Sequence, residues 1–154
     1  MPEFIAEHVP ADVLRRTRRG AGRANRFACF LAGYFEAAEW LWPDPAECEE
    51  GFSRNKVRGW SRSAQRAIAA DCRDFFRAEY RDLARYVGLR CRRGADPSDM
   101  WRAAGTDFYL SREGHGAGYF DRGDDSVSDR LQESAQGQGA AGSPYLHRGY
   151  VHFI

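Results

Sequence analysis

Residues 105–123, Gly-Thr-Asp-Phe-Tyr-Leu-Ser-Arg-Glu-Gly-His-Gly-Ala-Gly-Tyr-Phe-Asp-Arg-Gly, decide the fold. Phe108 and Leu110 alternate with Tyr109 and Ser111, a two-residue period that predicts a half-buried strand. Gly114, Gly116 and Gly118 crowd the next few positions, where glycine alone takes positive φ freely. Gly118 to Asp121 then reads as a returning strand, so the whole stretch predicts a β-hairpin turning at Glu113 to Gly116.

Downstream, one of Asp124 and Asp125 is placed to cap a helix over 126–136, with Val127, Leu131 and Ala135 as its apolar stripe. Residues 137–143 form a Gly-rich loop. Pro144 to Ile154 predicts a second hairpin turning at Arg148-Gly149. Strand parity then puts Tyr145, His147, Tyr150 and His152 on one face, and Leu146, Val151 and Phe153 on the other.

Upstream, Phe27, Phe30, Leu31, Tyr34, Phe35, Ala38 and Leu41 recur at helical steps, predicting a helix over 24–42 that Pro43 and Pro45 end. A loop with a short acidic helix near 46–52 follows. Ser61 or Ser63 can cap a long helix to about Tyr86, striped by Ala64, Ile68, Cys72, Phe75, Phe76, Leu83 and Val87, with Gly88 as its stop. Residues 88–104 read as a connector in which Asp96-Pro97 or Ser98 starts a turn of helix. The expected fold class is α+β: a helical N-terminal half with a long helix, packed on a small antiparallel sheet of two hairpins with an intervening helix. Residues 1–23 read as a basic, partly flexible arm with a short helix over 11–19, and residues 24–154 as a single α+β domain.

The 154 residues carry a net charge of only +1, but the charge is unevenly spread. Residues 34–51 hold six acids and no base, and residues 53–66 hold five bases and no acid. Of the 23 basic residues 22 are arginine, an excess that reflects either genome composition or a need for bidentate anion recognition. Cys29, Cys48, Cys72 and Cys91 are too widely spaced for a zinc ribbon or a Cys-x-x-Cys redox motif, and Cys29 and Cys72 fall on amphipathic patterns as small core residues. The opening Met-Pro-Glu-Phe-Ile lacks the basic region and apolar run of a signal peptide, and no apolar run is long enough to span a bilayer. The expected setting is the cytoplasm, with reduced thiols and no membrane.

Residues 107–123 resemble a segment of small uncharacterised proteins of bacteriophages and other mobile elements. The shared order is aspartate, an aromatic pair, Leu-Ser/Thr-Arg, then His-Gly-Ala-Gly, two aromatics and Asp-Arg-Gly, here Asp107 to Gly123. Phe and Tyr stand where tryptophans are common in that family, and the N-terminal arginine arm is not part of the likeness. The resemblance implies an accessory protein acting in a host bacterial cell, a class often occupied by inhibitors of host defence. It carries over no functional residue, because no activity is assigned in that family.

Several constellations are candidates for chemistry. The Gly114–Gly118 loop could cradle an anion with backbone amides, but it lacks the frame of a P-loop or dinucleotide fingerprint. His115, Asp107, Asp121 and Arg122 would supply an acid, a base and an anion holder if the chain were an enzyme, though no nucleophile elbow accompanies them. His147 and His152 lack a third metal ligand, so neither a metal nor another cofactor is expected. Arg73, Arg77, Arg81 and Arg85 recur every fourth residue, rising about 6 Å per step, a ridge suited to phosphates. The acidic run Glu36, Glu39, Asp44, Glu47, Glu49 and Glu50 and the basic run Arg54, Lys56, Arg58 and Arg62 are expected to be exposed, as segregated patches suited to electrostatic docking. The expectation is a binding protein, of anti-CRISPR or anti-restriction type, whose partner is a host protein or ribonucleoprotein. Direct nucleic-acid binding through the arginines and a small enzyme built on His115 are the alternatives, and a second copy of the chain is a further candidate partner.

Overall fold

Two helices meet at a crossing where each gives up its side chain. In the computed structural model, which describes residues 6–20, 22–42, 57–122 and 125–153, these are α2 (Arg23–Trp40) and α5 (Pro97–Arg112). A Cβ on Gly33 would lie 1.8 Å from the Arg102 carbonyl oxygen, and one on Gly105 would lie 1.8 Å from the Phe30 carbonyl oxygen. The backbones can approach this closely only because both positions are glycine. Thr106 Oγ1 donates to the Gly33 carbonyl at 3.1 Å, adding a hydrogen bond at the same contact.

Around this pair sit α1 (Ala11–Thr17), α3 (Arg62–Ala78), α4 (Tyr80–Cys91) and α6 (Ser126–Gly137). Their stripes close a core of stacked rings: Phe75 lies 4.0 Å from Phe108 between centroids, and Phe30, Tyr34 and Tyr119 pack around them. Each such pair adds about 0.5–1.5 kcal/mol to the burial itself. Cys29 and Cys72 are buried within this core, as their pattern implied. α1 packs through Val13, and Asn25 of α2 donates to the Arg16 and Thr17 carbonyls that end it. At one end lies a three-stranded mixed sheet: β1 (Gly59–Trp60), β2 (Pro144–His147) and β3 (Tyr150–Phe153), ordered β1-β3-β2, with β1 parallel and β2 antiparallel to β3.

The chain is therefore α+β in the coarse sense, mostly helical with one small sheet, and the first of the two expected hairpins does not exist. Residues 105–112 are the second half of α5, which starts at the Asp96 cap and Pro97 as a full helix and not as a single turn. The two-residue alternation misled because α5 is buried on every side here: Phe108, Tyr109, Leu110 and Ser111 are all covered, so no polar face marks the helical period. Gly114 (φ +67°) stops α5, with His115 N–H returning to the Leu110 carbonyl and Gly114 N–H to the Ser111 carbonyl. That is a glycine-terminated helix end, not a hairpin turn. Residues Tyr119–Arg122 form a turn of 3-10 helix.

The long helix is also two helices, broken at Glu79, whose carboxylate accepts from Ser134 Oγ of α6 at 3.0 Å. Gly88 lies inside α4 and does not stop it. The arginine row thus loses its continuity between Arg77 on α3 and Arg81 on α4. Of the alternatives that the sequence offers, Ser61 and not Ser63 caps α3, and Asp125 caps α6. The C-terminal hairpin has the expected register, Tyr145 opposite His152 and His147 opposite Tyr150. The short acidic helix near 46–52 lies outside the described residues. Among them no helix is long and apolar enough to cross a membrane.

Candidate anion-binding cleft

The segment that should have been a hairpin instead folds back along α5. Tyr119 is fully buried, and its hydroxyl donates to the Ala104 carbonyl of α5 at 2.7 Å. Its N–H donates to Ser111 Oγ, which in turn donates to Gln132 Oε1 of α6. Gly118 (φ +146°) is required at this return, since a Cβ there would meet Ser111 Oγ at 2.3 Å. The outcome is that Arg122, fifteen residues from Asp107, comes back beside it.

Asp107 is wholly buried. Its Oδ2 accepts from the Tyr86 hydroxyl at 2.6 Å and its Oδ1 from Arg122 Nε at 3.2 Å, while Arg90 Nη1 stands 3.6 Å away. Arg90 donates to the Tyr86 hydroxyl at 2.8 Å. Burial pushes the Asp107 carboxyl above the usual carboxylate range, against the downward pull of the Tyr86 hydrogen bond and the two arginines. Burial, and then the Asp107 charge, push the Tyr86 hydroxyl up. The carboxylate is thus spent inside the protein. It orients two guanidinium groups and is closed to a substrate.

Those guanidinium groups border a cleft of about 640 Å3 lined by Tyr86, Leu89, Arg90, Arg92, Arg93, Arg122, Asp125 and Ser128. Arg90, Arg92 and Arg93 come from the C-terminal end of α4, Asp125 and Ser128 from the start of α6. Asp125 is occupied as the α6 cap, accepting from Ser128 N–H at 2.8 Å. Arg92 and Arg93 are exposed and have no carboxylate within ion-pair distance among the described residues. Among the described residues, four arginines stand against two carboxylates, Asp107 and Asp125, both already engaged, and this leaves cationic donors facing one space. Such a space suits phosphate, which guanidinium holds through paired N–H donors.

The sequence candidates distribute as follows. Asp107 and Arg122 do meet, but His115 lies past the end of α5 with its ring 5.7 Å from that of Trp40, and Asp121 points to solvent, so the proposed acid–base group is not assembled. The glycine loop spends the amides of Gly114 and His115 on the Ser111 and Leu110 carbonyls of α5, and that of Ala117 on the His115 carbonyl. Glu39 is buried, contrary to its expected exposure. Its carboxylate accepts from the N–H groups of Glu7 and His8 at 3.0 Å each, and His8 Nδ1 lies 2.7 Å from it. Glu36 is half-buried and paired with Arg102. These two acids hold the fold together and are not a docking patch.

Arg58, Arg62, Arg73, Arg77 and Arg81 are exposed, Arg73 over the Phe27 ring. Asp44, Glu47, Glu49, Glu50, Arg54 and Lys56 lie outside the described residues. Sequence reading passed over the cleft because Arg90, Arg92 and Arg93 looked like connector charge. Three arginines in four residues at a helix end were the available signal. Among the described residues no group of three or more metal-ligating side chains occurs. Compared with known protein families, curated proteins and solved structures, the chain matches none.

Proposed function

We propose that this protein works by binding and not by catalysis, and that its arginine-lined cleft docks on the phosphate backbone of a nucleic acid. The supporting observation is the set of four arginines around one cleft, with Asp107 already held by Arg122 and Tyr86 and Asp125 already used as the α6 cap. The phage-like segment Asp107–Gly123 contributes both Asp107 and Arg122 to this arrangement, which fits an accessory protein directed at a host nucleic-acid machine such as a CRISPR effector or restriction enzyme. Inhibition of that machine would follow from occupying the nucleic acid, or from competing for the surface that holds it.

The test is electrophoretic and fluorescence binding to a short duplex across a salt series. Affinity should fall steeply with salt, and Arg92→Ala with Arg93→Ala should lower the logarithmic salt slope by about 2. A protein that shows no binding at low salt, or a double variant with the parent's slope, would reject the cleft as the phosphate contact.

A further inference from the structure

The C-terminal hairpin turns its aromatic side chains the unusual way. Leu146, Val151 and Phe153 face inward, Val151 fully buried and Phe153 stacked 5.7 Å from Trp60. Tyr145, His147, Tyr150 and His152 share the outer face through the two cross-strand pairs. Tyr145 and His152 stack at 5.2 Å with 21° between their planes, and His147 stands edge-on to His152 at 6.0 Å. Tyr145 is 41% exposed and Tyr150 42%, unusually open for large rings. Beside Tyr150 the next strand offers only Gly59, where a Cβ would meet nothing within 4 Å among the described residues.

The backbone beneath this face is braced. The turn takes Arg148 at φ +52° and Gly149 at φ +86°, the paired left-handed geometry of a tight two-residue hairpin turn. Arg58 N–H donates to the Gly149 carbonyl and Ser61 N–H to the Val151 carbonyl, tying β3 to the chain entering α3. A recess of about 350 Å3 beside Tyr150 and His152 is lined also by Arg62 and Gln65. Arg58 and Arg148 flank the turn, the Arg58 side chain lying against Gly149.

Flat rings with polar edges, held on a rigid strand pair and rimmed by arginines, match one ligand class. A lipid surface would select the leucine and phenylalanine that this hairpin buries. An acidic protein would use the arginines but not the stacked rings. Unpaired bases use both, because every base has a π-face and every nucleotide a phosphate. We infer that the Tyr145/His147/Tyr150/His152 face stacks the bases of single-stranded nucleic acid, with Arg58, Arg62 and Arg148 on its phosphates. The inference shares the ligand class proposed above, but rests on the hairpin alone and is independent of the cleft.

The test uses the full chain and fluorescence anisotropy with labelled oligothymidine of about 15 nucleotides. An abasic strand of the same length and a duplex of matched length are compared beside it. Tyr145→Ala with Tyr150→Ala should weaken oligothymidine binding at least about tenfold, while abasic-strand and duplex binding stay unchanged. Phenylalanine at both positions keeps the rings and should keep the binding. An abasic strand bound as tightly as oligothymidine by the parent protein would overturn the inference, and so would an alanine pair that leaves oligothymidine affinity intact. The abasic comparison needs no variant, so it decides even if the alanine pair disturbs folding. A silent tyrosine pair beside effective Arg92 and Arg93 changes would reject the hairpin face alone. The opposite pattern would reject the cleft alone.

Discussion

Two arginines ten residues apart, Arg112 and Arg122, show opposite uses of the same side chain. Arg112, at the end of α5, is buried at 7% exposure. Its Nη1 donates to the Tyr34 hydroxyl and to Asp71, and its Nε to the Gly139 carbonyl, joining α2, α3 and the chain after α6. Arg122 gives its Nε to buried Asp107 but sits on the rim of a cleft beside Arg92 and Arg93, which have no such partners among the described residues. A guanidinium with its donors used internally is a fastener. One with donors left over is a contact surface, and the difference lies in burial and not in residue type.

The strongest way to break that comparison is to spoil the frame both arginines depend on. Gly105→Ala should cost at least about 3 kcal/mol, because the added Cβ must displace the Phe30 backbone and not a movable side chain. Chemical denaturation reads it directly, and a loss under about 1 kcal/mol would mean the crossing is far more compliant than its geometry implies.

Next in size is Arg112→Met. It strands the Tyr34 hydroxyl and the Gly139 carbonyl, but leaves Asp71 partly solvated, so the cost should be about 2–3 kcal/mol in the same measurement. A neutral result would show that Arg112 does not fasten.

The carboxylates sharpen the contrast through pH. Asp107 has its pKa raised by burial, so the native state binds a proton more readily than the unfolded chain. The parent should therefore lose stability relative to Asp107→Asn as pH rises from the ordinary value of 3.8 through the raised one. Asp82 is held below its ordinary 3.8 by the hydrogen bond from Arg130. Its contribution is present above pH 3.8 and should disappear as pH falls through the lowered value, relative to Asp82→Asn. Stability curves of the two variants against the parent should slope in opposite directions, the exposed Asp82 pair contributing the smaller change because solvent screens it. Slopes of one sign would refute the assignment of burial to the one and pairing to the other.

The smallest expected effect is the most telling. Arg92→Ala with Arg93→Ala should change stability by no more than about 0.5 kcal/mol, since both side chains are exposed and neither is ion-paired among the described residues. A thermal melt that drops as far as that of Arg112→Met would make the cleft a structural feature and end its reading as a binding surface.

Local chemistry was legible wherever one residue acts on its own neighbours. The caps of α3 and α6 were legible to within two neighbouring residues each, Ser61 or Ser63 and Asp124 or Asp125, because an N-cap needs only an oxygen near the next few amides. The C-terminal hairpin read correctly because Arg148-Gly149 sets its turn and parity then assigns each side chain a face. Residues 105–112 did not, because a helix buried all round carries no polar stripe and a short window of alternation imitates a strand. The break at Glu79 was equally hidden: no proline or glycine marks it, and Ser134, its partner, is 55 residues away.

By itself, then, the sequence narrowed each helix cap to neighbouring candidates and determined much of the core's composition and the two faces of the final hairpin, all consequences of short-range geometry and of burying rings. Only the tertiary structure decided that Gly33 and Gly105 seat two helices against each other and that Glu39 is buried against the chain near His8. It alone returned Arg122 to Asp107 to complete an arginine cleft. These depend on which distant surfaces meet, and that is set by how the whole set of apolar faces can be covered at once.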